Sequence, residues 1–314
     1  MKTSSPSILQ RQSFRERVVR DLEKNHAIYI MVIPVVVWFA IFCYAPMYGV
    51  TMAFKDYKPR KGLSGSDWVG LKHFIEFFDS VYFWRLIRNT FLISLYGIIF
   101  GFPVPIIFAI LLNEVHNTGY KKVIQTITYL PHFITTVIIC SLVLQFTGER
   151  GFITTLYNAL TGHKGALIIE AKYFRTIYTV SGIWQGFGWG SIIYLAAITG
   201  VNPDLYEAAI IDGANKFQQI IHITIPGIMP TIVIMFIMNC GSILSVGWEK
   251  TFLIQSPLTY ETSDVISTYV YRKGFEDMDY SFSSAVGLFS SVVNILMLTV
   301  SNAISRKVTD NSLW

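Results

Sequence analysis

With 314 residues, 52% of them hydrophobic and 14% charged, and a mean hydropathy of +0.47, the chain lacks the surface of an ordinary soluble domain, and its expected solvent is lipid. The net charge is +5, yet no run of Lys and Arg is dense enough to track a phosphate backbone, so the reading is membrane-surface charge and no nucleic acid. Cys43, Cys140 and Cys240 sit in apolar stretches without a CxxC pair, and the six histidines form no HExxH or i, i+4 pair, so no disulfide, metal or cofactor is expected in this chain.

Residues 1–26 are polar and mixed in charge, and are expected to form a cytoplasmic segment. The apolar run after them is longer than a signal-peptide core and has no small-residue cleavage pattern. About 20 apolar residues cross a bilayer core. Six segments qualify: 27–50, 87–112, 124–146, 177–200, 229–252 and 283–304. The expected fold class is therefore all-α, a polytopic membrane protein with about six transmembrane helices, as one domain over 27–304 with a cytoplasmic tail at 305–314. Pro34, Pro103, Pro105, Gly182 and Gly186 are residues a membrane helix tolerates. An even number of spans puts both termini on one side, expected to be the cytoplasm. The charge bias does not decide this, because eleven Lys and Arg fall on that side and twelve on the other, with Arg88 and Lys250 inside spans.

The first connection, 51–86, carries Trp68, Phe74, Phe77, Phe78, Tyr82, Phe83 and Trp84 among charges, which predicts a short amphipathic helix anchored at the interface. His132, after Pro131, reads as packing or pathway polarity. In the fourth span Trp184, Gln185 and Trp189 supply aromatic faces and an amide, the groups that recognise a sugar. Gly182, Gly186 and Gly190 form small-xxx-small steps that predict close helix packing, so the tryptophans have two readings, pathway or packing.

Between the fourth and fifth spans, in about 201–228, Pro203 can start a helix whose first turn holds Asp204 and Glu207, both favoured near the positive end of the dipole. Ala208 and Ala209 continue it with little bulk. Gly213 permits a turn or a close backbone approach, and an amphipathic stretch from Asn215 to Ile223 is expected to end at Pro226. In the fifth span Asn239, Ser242, Ser245 and Glu249 fall on one side of an ideal helix, a polar face suited to hydroxyl groups or to interhelical hydrogen bonds. Glu249 beside Lys250 reads as a local ion pair at the outer rim.

The segment between the fourth and fifth spans resembles the EAA loop of ABC importer permeases. Glu207, Ala208, Ala209, Gly213, Ile223 and Pro226 stand at that pattern's positions, with Ile225 where Leu is usual. Asn89-Thr90, Tyr129-Leu130-Pro131 and Asn202-Pro203-Asp204-Leu205-Tyr206 are similar to carbohydrate permeases of the maltose-transporter type. Ile33-Pro34, Tyr44-Ala45-Pro46 and Phe54-Lys55-Asp56-Tyr57 are similar to permeases serving lipoprotein solute-binding proteins for complex or oligomeric sugars. The resemblance spans nearly the whole chain. It implies the type I importer permease fold in a bacterial inner membrane, a heterodimer with a second homologous permease, an extracytoplasmic solute-binding protein and a carbohydrate substrate. It also implies two cytoplasmic ATPase subunits that bind ATP and Mg, coupled through the six loop residues. The chain itself has no GxxxxGK[ST] loop and is not expected to be an enzyme.

Other functions are weaker fits. The same machine could carry a non-sugar solute, such as an amino acid. An ion-driven secondary transporter would need carboxylates inside spans, and Glu249 at a rim is the single case. A membrane enzyme would need a nucleophile–base pair or a metal motif, and neither is evident in the sequence.

Overall fold

The computed structural model describes residues 14–309 and 311–314, so residues 1–13 of the expected N-terminal segment lie outside them. The described chain is helical almost throughout. Helix α1 (Asp21–Phe54) leads to a two-residue antiparallel pair, β1 (Lys55–Asp56) and β2 (Asp67–Trp68), in register Lys55↔Trp68. Then come α2 (Lys72–Phe78), α3 (Phe83–Asn113), α4 (Thr118–Tyr129), α5 (Thr136–Thr147), α6 (Phe152–Thr161) and α7 (Ala171–Thr199). The rest is α8 (Pro203–Ile211), α9 (Lys216–Cys240), α10 (Trp248–Ile254), α11 (Ile266–Tyr271) and α12 (Tyr280–Thr309).

Proline shapes these helices without ending them. The widened turns Ala40–Tyr44, Gly97–Gly101 and Ile220–Thr224 each stop two residues short of a proline, at Pro46, Pro103 and Pro226. Proline donates no N–H, and its ring crowds the carbonyl four residues earlier; here that carbonyl belongs to Phe42, Ile99 or His222, inside the widened turn. The helix expected to end at Pro226 therefore runs through it into the fifth span. Pro131 has the opposite outcome. The expected third span, 124–146, is interrupted by a 3-10 turn at Leu130–Phe133, between α4 and α5.

Among the described residues, five helical stretches are long and apolar enough to cross a bilayer: α1, α3, Thr136–Thr161, α9 and α12. Helix α7, the expected fourth span, is 29 residues long but is not among them. Its Gly, Ser, Trp and Gln lower its apolarity, which the structure tolerates because α7 is the central helix, packed against α3, α4, α5 and α9.

The tightest glycine on α7 is not on the expected ridge. Gly190 does approach the Pro105 ring, a Cβ there lying 3.4 Å from it, but Gly186 faces open space. Gly188 instead packs so closely on α4 that a Cβ would overlap the Thr128 carbonyl. Gly188→Leu is expected to separate α7 from α4 and to cost at least 1–3 kcal/mol, of the order of an overpacked core. A lower unfolding midpoint and loss of monodisperse protein on size exclusion would show it, whereas wild-type behaviour would contradict this packing.

The first connection forms the expected short helix, α2. Trp68 and Trp84 project outward, 65% and 77% exposed, as interface anchors would. Phe77 departs from that expectation: it is buried with Leu86, Phe282 and Val286, clamping the connection onto α3 and α12.

Candidate functional site

The expected fifth span, 229–252, stops early. Helix α9 ends at Cys240, and 241–247 is irregular backbone before α10 begins. Gly241 allows the turn by lying against Leu298, where a Cβ would sit 2.6 Å from Leu298 Cδ1. The freed backbone is satisfied from α12: Leu244 N–H donates to Asn294 Oδ1 at 2.9 Å, and Asn294 Nδ2 donates to Ser245 Oγ at 2.8 Å. Asn239, Ser242, Ser245 and Glu249 thus do not share one helical face, because the regular 100° step ends before Ser242.

Three of the four nevertheless meet. Asn239, Ser242 and Ser245 line a cavity of about 250 Å³ with Ser94, Gly97 and Tyr178, while exposed Glu249 is carried away on α10. Gly97 lies near the middle of α3, so the break in the fifth helix falls at mid-depth of the bundle. Non-helical backbone at that depth is tolerated where it is buried in protein or lines an aqueous cavity. Asn239 Nδ2 donates to Met235 O at 2.8 Å, which leaves its carbonyl oxygen for a hydroxyl donor.

At the far end of the bundle, α8 and the first turns of α9 make a knob. Pro203 sits in the first turn of α8, Asn202 Oδ1 accepts from Asp204 N–H, and Asn215 with Gln218 closes a capping box on α9. The Tyr206 and Thr224 hydroxyls share a 3.0 Å hydrogen bond, and Lys216 pairs with Glu114, just past the end of α3, at 3.2 Å, tying the knob to the spans. Gly213 has φ +80°, and a Cβ there would meet nothing within 4 Å. Within this chain it is therefore the left-handed turn, not a close approach, that asks for glycine. The knob presents Leu205, Ile210, Ile211 and Phe217, 52% to 86% exposed, beside exposed Glu207 and Ala208; Ala209 and Ile223 are half-buried.

Residues 101–310 match the family model described as binding-protein-dependent transport system inner membrane component. The chain belongs to that family. The permease is 41% identical to Protein LplB of Bacillus subtilis over 93% of this chain and 92% of that protein. It is 38% identical to the polygalacturonan/rhamnogalacturonan transport system permease protein YteP of the same organism, over 98% and 96% of the two chains. Among solved structures it matches a chain of a bacterial alginate ABC transporter in complex with an alginate pentasaccharide-bound periplasmic protein. That match has a TM-score of 0.86 and 41% identity, over 95% of this chain and 100% of the other. The fold is accordingly the type I importer permease fold.

In the permease the aromatic cluster expected on α7 divides. Trp189 stacks on His132 with ring centroids 4.7 Å apart, and Gln185 Nε2 donates to Ile134 O at 3.4 Å, so both brace the broken third span. Trp184 lies on another face and lines an apolar cavity of about 440 Å³ with Val143, Phe146, Tyr157 and Ile177. The three residues do not form one sugar platform, because 100° per residue turns Trp184 away from the other two.

At the end opposite the knob, the permease holds a charged network that sequence reasoning missed. Asp264 is fully buried, with Oδ2 accepting from Arg85 at 2.8 Å and Oδ1 from Arg272 at 2.7 Å. Asn89 Nδ2 donates to the Glu261 and Asp264 carbonyls at 3.0 Å, and Asn89 Oδ1 accepts from Arg175 at 2.9 Å. Thr90 Oγ1 accepts from Ile266 N–H at 3.0 Å. Asn89-Thr90, noted above for its family resemblance, thus fastens the 261–266 segment onto α3. The Arg85–Asp264 partners stand 179 residues apart, so no local spacing signals the pair.

Proposed function

We propose that this permease forms half of the translocation pathway of an ABC importer for an oligosaccharide. The observation that carries the proposal is the break in α9 at mid-depth, which places an amide and two hydroxyls in a cavity between α3, α7 and α9. Such groups match sugar hydroxyls, and the permease relatives include a transporter of polygalacturonan and rhamnogalacturonan. A second homologous permease completes the pathway. Helix α1 supports this, since no part of its most apolar window is buried within this chain, which leaves its surface for a partner subunit and lipid.

The knob is the docking element for two cytoplasmic ATPases, which bind ATP and Mg and hydrolyse ATP on separate subunits. Its exposed Ile210, Ile211 and Phe217 suit a cleft in a soluble partner. An extracytoplasmic solute-binding protein delivers the sugar at the opposite end, as the periplasmic protein in the alginate transporter complex suggests. Both termini then lie in the cytoplasm of a bacterial inner membrane. A cysteine replacing Asn215 is expected to react with impermeant thiol reagents from the cytoplasmic side alone, and labelling from outside would reverse the orientation. The function is tested by ATP-driven oligosaccharide uptake into proteoliposomes holding the full complex; uptake of amino acids in place of sugars would favour the non-sugar alternative. An ion-driven mechanism gains no support from Asp264, whose charge is met by two arginines.

A further inference from the structure

A second cavity, of about 630 Å³, borders the irregular segment that follows α9 and shares Ser245, Val246 and Gly247 with the mid-depth one. Part of its wall is a run of aromatic rings. Trp248, in the first turn of α10, and Tyr271, the last residue of α11, stack with centroids 5.0 Å apart and planes 10° apart. Phe275, in the widened turn Arg272–Glu276 after α11, stacks on Tyr271 at 5.3 Å. Gly274 seats that turn on α12, since a Cβ there would lie 2.9 Å from Ser283 Oγ, and Phe275 is left 70% exposed. The wall also holds Ser267 of α11 and Ser290, Ser291 and Asn294 of α12. The Ser267, Ser290 and Ser291 hydroxyls donate to the carbonyls of Val246, Val286 and Gly287, which leaves their oxygens as acceptors. Ser245 Oγ accepts from Asn294, which leaves its own O–H as a donor. Among the described residues no charged side chain lines this cavity. Lys250 does not pair with Glu249 as expected but turns to Tyr178, donating to its carbonyl at 2.9 Å.

An acyl chain in this cavity would leave the serine oxygens unmatched, at a cost for each. A pyranose ring meets both parts of the wall, because it has apolar C–H faces for aromatic rings and hydroxyls at its edge for the serines. The place fits as well. Arg272, next to Tyr271, is bonded to Asp264, so the aromatic run lies at the end of the bundle opposite the knob. From there Gly287 to Asn294, both in the wall, cover about 10 Å of α12 and end at the level of Ser245. Resting on the reading of this chain as an oligosaccharide permease, we infer that this cavity is a second sugar subsite on the outer side of the mid-depth one. A ring of the chain stacks on Trp248 or Phe275 there while its hydroxyls bond to Ser267, Ser290 and Ser291. The neutral wall holds acidic and uncharged rings alike. Several linked rings occupy both cavities at once, across the shared Ser245–Gly247 segment, whereas a monosaccharide occupies one.

The test uses the complete complex in proteoliposomes with ATP inside, and cellotetraose, tetragalacturonate and tetramannuronate as probes. Ser291→Cys is expected to react with a charged thiol reagent during turnover, above the wild-type background from Cys43, Cys140 and Cys240, and each tetrasaccharide that is imported should slow the reaction. Adding Trp248→Ala should raise the sugar concentration for half-protection about tenfold, the worth of one ring contact, while Trp248→Phe retains most of the affinity. Trp248→Ala and Phe275→Ala should each lower tetrasaccharide uptake about tenfold at equal subunit content, which co-purification reports. An unreactive Ser291→Cys in a working complex would mean that lipid or the second permease covers the cavity, and would overturn the subsite. Labelling that no imported tetrasaccharide slows, or wild-type uptake in both alanine variants, would also overturn it and leave the oligosaccharide reading intact. Import of an amino acid but of none of the tetrasaccharides would overturn that reading itself.

Discussion

Gly213→Leu is expected to abolish ATP-driven uptake, by well over tenfold, in a permease that still inserts and folds. The residue's φ of +80° is a conformation in which a side chain costs about 1–2 kcal/mol. The knob can relieve that cost by swinging α8 relative to α9, since neither Leu205, Ile210 nor Ile211 is held by packing within this chain. The exposed apolar crest would then no longer match the ATPase cleft proposed for it. A helix seated in such a cleft moves as a rigid unit and passes subunit closure to the attached spans as a tilt. Gly213→Asn, which tolerates the left-handed region, should retain much of the activity. Glu207→Lys should weaken the joint in a salt-dependent way, because an exposed pair is screened. Wild-type ATPase co-purification, stimulated hydrolysis and uptake in Gly213→Leu would together show that this knob is not the coupling element.

Asp264→Leu should be the most destabilising single substitution in the end of the bundle opposite the knob, at about 3 kcal/mol. Breaking a buried pair by removing one partner typically costs 3–5 kcal/mol. The lower figure applies because Arg85 and Arg272 are 31% and 22% exposed and can turn partly to water. Without the carboxylate the two guanidiniums confront each other, and the 261–266 segment keeps the Asn89 and Thr90 bonds together with those from Arg88 to the Glu261 carbonyl and from Thr262 to the Ala171 carbonyl. Combining Asp264→Leu with Arg85→Met and Arg272→Met should recover part of the loss, since apolar groups of similar volume often replace a buried triad without penalty. Thermal unfolding of the purified permease in detergent measures both; a midpoint unchanged in Asp264→Leu would contradict the buried network.

Local chemistry made the knob legible in sequence. Pro203 and Gly213 act within a few residues of themselves, and the structure places each in the role its chemistry suggests. The approximate positions of most spans followed from apolar run length, which is also a local property, but α7, the expected fourth, is not apolar enough to count by that measure. The errors arose where tertiary contacts overrode helical periodicity. The polar stripe from Asn239 to Glu249 assumed an unbroken helix, but hydrogen bonds from Asn294 on α12 make an irregular segment affordable there. Three of those residues still converge on one cavity, for a reason the periodic argument did not contain. The helix runs through Pro226 because a widened turn accommodates its ring, and such a turn has no simple sequence mark. The Arg85–Asp264–Arg272 network joins segments far apart in the chain, and Lys250 looked like the partner of its neighbour Glu249 until its side chain was seen against Tyr178.

The central claim is that the broken fifth helix lines the route of the sugar. It is tested most directly by ATP-driven oligosaccharide uptake in the Asn239→Leu, Ser242→Leu double variant. Neither side chain donates to anything beyond its own local backbone, with Asn239 on Met235 O and Ser242 on Met238 O and Asn239 O, so their loss should leave the subunits assembled. Two leucines would fill part of the 250 Å³ cavity and remove its hydroxyl-binding groups. The account predicts an intact complex with uptake reduced at least tenfold; uptake at the wild-type rate and affinity would mean that the sugar passes elsewhere and that this cavity is a packing defect.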